Sequence, residues 1–162
     1  MQRVALVPVL ALILSASACG GGTAKAPLKP AIRRIDHTYA AGLKSVAAAM
    51  NDRLSVFMSQ NRPATALRTI QAATRHAATA LRGLHPPANA RVYNAALADS
   101  LAFLSKAVAR LRGTIVSNAP GEEYQALLTL NGAKELKHGV WALARLRALG
   151  YPVQQFGLPA AG

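Results

Sequence analysis

Apolar residues recur every three or four positions from Ala31 onward, in long segments rich in alanine and leucine. This spacing places the apolar side chains on one face of an α-helix. Short stretches that carry proline, glycine or asparagine separate the segments, and these residue types are typical of helix ends. The pattern predicts four amphipathic helices and no strand, over approximately residues 31–59, 63–84, 88–116 and 122–149.

The predicted helices carry local signals at their ends. Pro63 is tolerated in a first turn, the consecutive prolines 86 and 87 cannot continue a helix, and Gly150 is suited to a left-handed cap. Helices of this length joined by short loops pack most simply as an antiparallel up-down four-helix bundle. We therefore expect an all-α domain over residues 31–152, followed by a loose tail over 153–162. The third segment has the clearest apolar stripe, formed by Leu97, Leu101, Leu104, Val108, Leu111 and Ile115.

The first eighteen residues have a different pattern, with a cationic start at Arg3, an apolar run over 4–14 and small residues before Cys19. These are the three parts of an export signal. A membrane-spanning helix needs about 20 apolar residues, and this run is much shorter. We therefore expect residues 1–18 to be a removable signal peptide.

Cys19 is the only cysteine, so no disulfide forms within the chain. The stretch Ala16-Ser17-Ala18-Cys19 resembles the lipobox of bacterial lipoproteins, although leucine is preferred where Ala16 stands. The resemblance implies that a diacylglyceryl group is attached to Cys19 and that the chain is cut on its amino side. Ala16 and Ala18 also fit an ordinary signal peptidase, which would cut the same bond. A thioether to lipid gives the lone thiol a purpose that the second interpretation does not.

Residues 19–30 are rich in glycine and proline and poor in apolar side chains, which is typical of a flexible tether. Such a segment spans about 18 Å on average and about 36 Å at full stretch. We expect the helical domain to lie outside the cytoplasm, held by lipid close to the cell membrane or the outer membrane.

Positive charge is the next feature, because removal of the leader takes one of 19 basic residues and leaves 18 against 6 acidic ones. Such a chain attracts anions. After export, the nearby anions are phospholipid headgroups, envelope polymers and acidic proteins, and nucleic acid is not an expected partner. Arg68, Arg75 and Arg82 recur every seven residues, about 10 Å apart along one side of the second helix. They form a candidate anion-binding or partner-binding row, or simply an exposed polar face.

The sequence offers little for catalysis or metal binding. Glu135 and His138 form an E-x-x-H pair, which is half of a carboxylate-bridged metal site, but no other predicted helix supplies a matching pair. A surface ion pair with Lys134 or Lys137 is the simpler interpretation. The sequence contains no G-x-S-x-G motif, no haem-attachment motif and no phosphate loop. We expect neither enzymatic activity nor a cofactor.

The turn Leu81-Arg82-Gly83-Leu84-His85-Pro86-Pro87-Ala88 between two helices is similar to that of uncharacterised secreted bundle proteins of high-GC Gram-positive bacteria. This resemblance covers about half the chain and implies a helical bundle, but no activity and no site residues.

Two functions from different classes remain. The first is a membrane-tethered interaction module that uses its basic face. The second is a carrier of a lipid or small apolar molecule in the core, which requires a pocket of at least roughly 300 Å³. The carrier hypothesis depends on small residues at inward positions, which indicate either close helix packing or unfilled space. These residues are Thr74, Ala77 and Ala133. A metal-binding bundle is a third and weaker hypothesis.

Overall fold

The structure is a computed structural model that describes residues 35–56, 62–115, 122–130 and 133–153. Within these ranges the chain is helical and contains no strand, so the all-α prediction is confirmed. The predicted signal peptide, the predicted tether with Cys19 and the tail after Val153 lie outside the described residues. The described helices are α1 (His37–Ser55), α2 (Pro63–Gly83), α3 (Arg91–Thr114), α4 (Glu122–Leu128) and α5 (Lys134–Ala148).

Local chemistry accounts for several helix ends. Asp36 caps α1, because its side chain accepts a hydrogen bond of 2.9 Å from the backbone N–H of Tyr39. Helix α2 begins at Pro63 as predicted and ends at Gly83, ahead of the two prolines. At the end of α5, Gly150 has a φ of 90° and Tyr151 N–H donates to the carbonyl of Leu146. The predicted left-handed cap at Gly150 is therefore confirmed.

The predicted fourth helix, over 122–149, is wrong as a single element. Helix α4 ends at Leu128, and α5 starts only at Lys134. Between them, Leu130 N–H donates to Leu127 and Ala133 has an extended ψ of 132°. An extended residue cannot continue the α-helical hydrogen-bond ladder. The intervening sequence carries Asn131 and Gly132, a pair that is typical of turns.

Helix α2 packs against α1 and against α3, α3 packs against α5, and the short α4 contacts α2 and α3. Neighbouring long helices are antiparallel. For example, Asn94 at the start of α3 donates to the Leu81 carbonyl near the end of α2, and Ser105 donates further back, to the Gln71 carbonyl. Helices α1 and α5 make no extended backbone contact with each other. The finer prediction of a four-helix up-down bundle is therefore not confirmed.

One end of the molecule brings together the starts of α1 and α3 and the ends of α2 and α5. We call it the proximal end, because the described chain begins there at Ile35. A Cβ placed on Gly150 would lie 3.1 Å from Ile35 Cδ1, and the rings of Tyr39 and Tyr151 pack edge to face with centroids 4.9 Å apart. The start of α1 therefore rests against the segment that follows α5.

Small residues allow the helices to approach closely in the core. Thr74 and Ala77 are both buried on α2, and the Thr74 hydroxyl donates to the Ile70 carbonyl at 2.8 Å. A Cβ placed on Gly139 would lie only 2.7 Å from Ser100 Cβ, so α3 and α5 are nearly in backbone contact. These contacts favour close packing as the reason for the small inward residues.

Candidate functional site

The structure places Arg68, Arg75 and Arg82 on the exposed face of α2. The opposite face of this helix is buried, with Leu67, Ile70 and Leu81 at its centre. Because two turns of helix separate successive arginines, their side chains leave the helix on the same side. The three cations therefore form one exposed row.

The row is not uniform, because Arg82 has an acidic neighbour. Its Nη2 lies 2.8 Å from Asp99 Oδ1 on α3, and the two side chains are 54% and 72% exposed. An ion pair this exposed contributes at most about 1 kcal/mol to stability. It does, however, offset the charge of Arg82. Among the residues whose side chains the structure describes, neither Arg68 nor Arg75 has such a pair.

The Arg82–Asp99 pair shows the register between the exposed faces of α2 and α3. One step of seven residues leads from Arg82 back to Arg75, and the same step leads from Asp99 forward to Lys106. Since the helices are antiparallel, Lys106 stands relative to Arg75 as Asp99 stands relative to Arg82. Arg82 therefore faces an acid, Asp99, whereas Arg75 faces a second cation, Lys106.

Two more arginines extend this positive region toward the end of α3. Arg110 is exposed, and Arg112 Nη1 donates to Gln71 Oε1 on α2 at 2.8 Å. These cations lie on two helices that pack against each other, where like charges repel and a bound anion would relieve that repulsion. We call this region the basic surface, and define it as Arg68, Arg75, Lys106, Arg110 and Arg112.

The half of the basic surface that α3 contributes was not predicted from the sequence. The seven-residue step from Asp99 to Lys106 is visible in the chain, but which α2 residue each one faces depends on the packing of the helices. The cross-helix contacts of Arg82 and Ser105 supply that register.

The candidate metal pair, Glu135 and His138, lies on an exposed part of α5. Within the part of the chain that the structure describes, no three histidine, cysteine, aspartate or glutamate side chains group together in a way that could hold a metal ion. The structure thus brings no third ligand of these types to the pair.

A separate cavity of about 490 Å³ opens at the proximal end, between the start of α3 and the end of α5. The Tyr93 ring packs edge to face on Trp141, with centroids 5.1 Å apart, and Trp141 remains 42% exposed. The sequence holds one signal for this exposed aromatic pair, because Trp141 falls outside the buried stripe of Leu136, Gly139, Ala142 and Leu146. The residues that line the cavity are Asn89, Tyr93, Arg145, Ala148 and Leu149.

The proximal end also contains a buried polar network. The Tyr39 hydroxyl donates to Asn94 Oδ1 at 3.0 Å, and Asn94 Nδ2 donates to the Leu81 carbonyl at 2.9 Å. Burial, followed by the nearby Tyr151, raises the pKa of Tyr39 well above its usual value. The phenol therefore stays protonated and joins three helices, which is a structural role.

No family model matches the sequence, and no curated protein or solved structure matches it significantly. None of the helices in the described ranges is both long enough and apolar enough to span a bilayer.

Proposed function

We propose that this protein is an extracytoplasmic lipoprotein, anchored through Cys19, whose helical domain binds an anionic component of the cell envelope. The leader pattern of residues 1–18 and the single cysteine support the export and the anchor. In this proposal, α1, α2, α3 and α5 form an up-down bundle into which α4 is inserted, and the bundle acts by binding, without catalysis or cofactor.

The observation that carries the binding role is the Arg82–Asp99 ion pair, from whose register we infer that Lys106 lies opposite Arg75. Arg82 on α2 is paired with an acid on α3. Seven residues away along each helix, the corresponding positions hold two cations, Arg75 and Lys106. Phosphate and carboxylate groups match the planar donor array of arginine. Candidate partners are therefore an anionic envelope polymer, phospholipid headgroups or an acidic protein. Nucleic acid is not a proposed partner, because the protein is proposed to be exported.

The carrier hypothesis is the alternative, and the cavity of about 490 Å³ is large enough to favour it. This cavity, however, lies between the ends of α3 and α5, whereas the hypothesis requires space in the core. The buried Ala77 and the near contact of Gly139 with Ser100 support a closely packed core instead. Binding at the basic surface is therefore the preferred proposal.

The anchor is tested by feeding radiolabelled fatty acid to cells that make the wild type or Cys19→Ser. We expect label on the wild type alone, and a mass of its amino-terminal peptide that includes the lipid. Equal absence of label from both proteins, at equal amounts by immunoblot, contradicts the anchor. An unmodified Cys19 at the new amino terminus identifies ordinary signal peptidase cleavage.

The basic surface is tested by the binding of the purified full chain to polyphosphate and to polyglutamate, which present phosphates and carboxylates. The triple variant Arg68→Gln, Arg75→Gln, Lys106→Gln should bind at least about tenfold more weakly, since each surface cation contributes on the order of 1 kcal/mol. The matched control removes the same charge elsewhere, at Lys44, Arg53 and Lys134, which are exposed on α1 and α5. Equal losses in both variants would show that net charge alone drives binding and would contradict a defined surface.

A further inference from the structure

The position of Ile35 shows which end of the domain is connected to the proposed anchor. Residues 19–34 join Cys19 to Ile35 and reach at most about 55 Å. Ile35 lies against Gly150, beside the segment that follows α5. The segment that leads to the proposed anchor thus meets the domain at its proximal end, and this end, which also carries the cavity between α3 and α5, lies within reach of the membrane.

The cavity combines the groups that a phospholipid headgroup requires. Arg145 supplies a guanidinium, whose several N–H donors match phosphate oxygens. Asn89 adds an amide, and Ala148 and Leu149 add an apolar wall suited to the glycerol and the first carbons of the acyl chains. Tyr93 completes the lining with a ring that has one apolar and one polar end.

Several large apolar residues are exposed on the elements that meet at the proximal end. Val92 is 65% exposed, Trp141 42% and Ile35 36%. In the described ranges, the other large hydrophobic residue left exposed is Val56, which follows the far end of α1. Tryptophan and tyrosine favour the headgroup region of a bilayer, where an amphipathic ring meets both apolar and polar surroundings.

The charge of this region also suits an anionic bilayer. Arg91 and Arg147 are exposed at the start of α3 and in the last turn of α5, two elements that meet at the proximal end. Among the described residues, the exposed acids toward this end are Asp36, which caps α1, and Asp99, which pairs with Arg82. Cations therefore outnumber acids among the described residues at the proximal end, and the surface of an anionic bilayer attracts them.

We propose that the proximal end docks on the bilayer and that the cavity at Arg145 binds the phosphate of an anionic phospholipid. This inference rests on the proposed function, because the lipid on Cys19 holds the domain within reach of the membrane. Docking through the proximal end places the α2–α3 basic surface on the flank of the docked domain, where it meets other anionic partners.

Trp141 is the only tryptophan in the chain, so its fluorescence reports directly on this surface. The full-length lipidated protein is reconstituted into vesicles of phosphatidylcholine, or of phosphatidylcholine with phosphatidylglycerol, that contain brominated acyl chains. With phosphatidylglycerol, the emission should shift to the blue and be quenched by bromine. Arg145→Gln should lower the docking constant about fivefold, the effect of one cation at an anionic surface. The matched control, Arg53→Gln, removes an exposed arginine from the last turn of α1, outside the basic surface and away from the proximal end, and should leave the signal unchanged.

Flotation of the vesicles separates the failure of the inference from the failure of the proposed function. Protein that does not float with either vesicle contradicts the anchor and the docking together. Protein that floats while Trp141 stays open to quenching by aqueous acrylamide contradicts docking and leaves the anchor standing. Equal bromine quenching with and without phosphatidylglycerol overturns the assignment to an anionic headgroup.

Discussion

At the scale of single residues, Gly139 is the position where the absence of a side chain matters most. Its missing Cβ leaves room for Ser100, whose own Cβ would be 2.7 Å from it. Gly113 on α3 makes the opposite case, because nothing lies within 4 Å of the place its Cβ would occupy. Both glycines are inside helices, so the pair separates the effect of packing from the effect of helix propensity.

Gly139→Ala should lower the free energy of unfolding by about 1–3 kcal/mol, because the added methyl forces α3 and α5 apart. Gly113→Ala should raise it by up to about 1 kcal/mol, since alanine is the better helix former and meets open space. Urea unfolding measures both changes. Ser100→Gly should recover part of the loss in the Gly139→Ala background, and a double-mutant cycle without coupling would contradict the contact as the cause.

Tyr39 links the stability of the molecule to alkaline pH. Unfolded tyrosine ionises near pH ~10, whereas burial and the neighbouring Tyr151 raise the pKa of Tyr39 in the folded protein. The folded state therefore holds this proton more tightly. The resulting stability is complete below about pH 10 and is lost as the pH rises further.

Tyr39→Phe should lower the free energy of unfolding at neutral pH by about 0.5–3 kcal/mol, because Asn94 Oδ1 loses its buried donor. The same variant should lose less stability than the wild type between about pH 9 and 11, since it has no phenol at this position to ionise. Urea unfolding at several pH values in this range gives the slope of unfolding free energy against pH for each protein. Parallel slopes for the two proteins would contradict the role given to Tyr39.

At the scale of helices, the sequence predicts well where the signals are local. Helix α2 was predicted over 63–84 and spans Pro63–Gly83, and α3 was predicted over 88–116 and spans Arg91–Thr114. Apolar spacing sets the face of each helix, and proline sets its limits. Neither signal depends on the rest of the fold.

The same spacing fails between α4 and α5 for a physical reason. The apolar pattern continues at three-residue intervals through Leu127, Leu130 and Ala133, although the helical hydrogen bonds stop. Helix α4 has seven residues and is too short to be stable alone. It is held by packing, because Leu127 is buried in the core, only 2% exposed.

The candidate site was predictable only on the helix that carries the row of arginines. That Arg68, Arg75 and Arg82 share a face follows from their seven-residue intervals. The opposition of Lys106 to Arg75 depends on the register of α3 against α2, which buried contacts such as that of Asn94 with Leu81 determine. The cavity between α3 and α5 likewise exists only after these helices pack.

At the scale of the whole molecule, the excess of basic residues opposes folding and favours the binding of anions. After residue 18 there are 18 basic residues against 6 acidic ones, and the compact state brings charges closer together than the unfolded chain does. One exposed ion pair, Arg82–Asp99, is found among the described residues, and it contributes little stability. Repulsion between the cations is therefore the larger electrostatic effect on folding.

Raising the concentration of sodium chloride from about 10 mM to about 150 mM should therefore increase the midpoint of urea unfolding, because the screening length falls from roughly 30 Å to roughly 8 Å. Sodium phosphate at matched ionic strength should raise the midpoint further, because an anion that binds the folded state stabilises it by mass action. In the triple variant of Arg68, Arg75 and Lys106, sodium chloride should still raise the urea midpoint, but by less than in the wild type. Phosphate should give this variant no further rise. The control variant of Lys44, Arg53 and Lys134 removes the same charge and should retain the phosphate effect. Equal midpoints in chloride and phosphate for the wild type would mean that phosphate only screens the charges, and the basic surface would then not be a phosphate site.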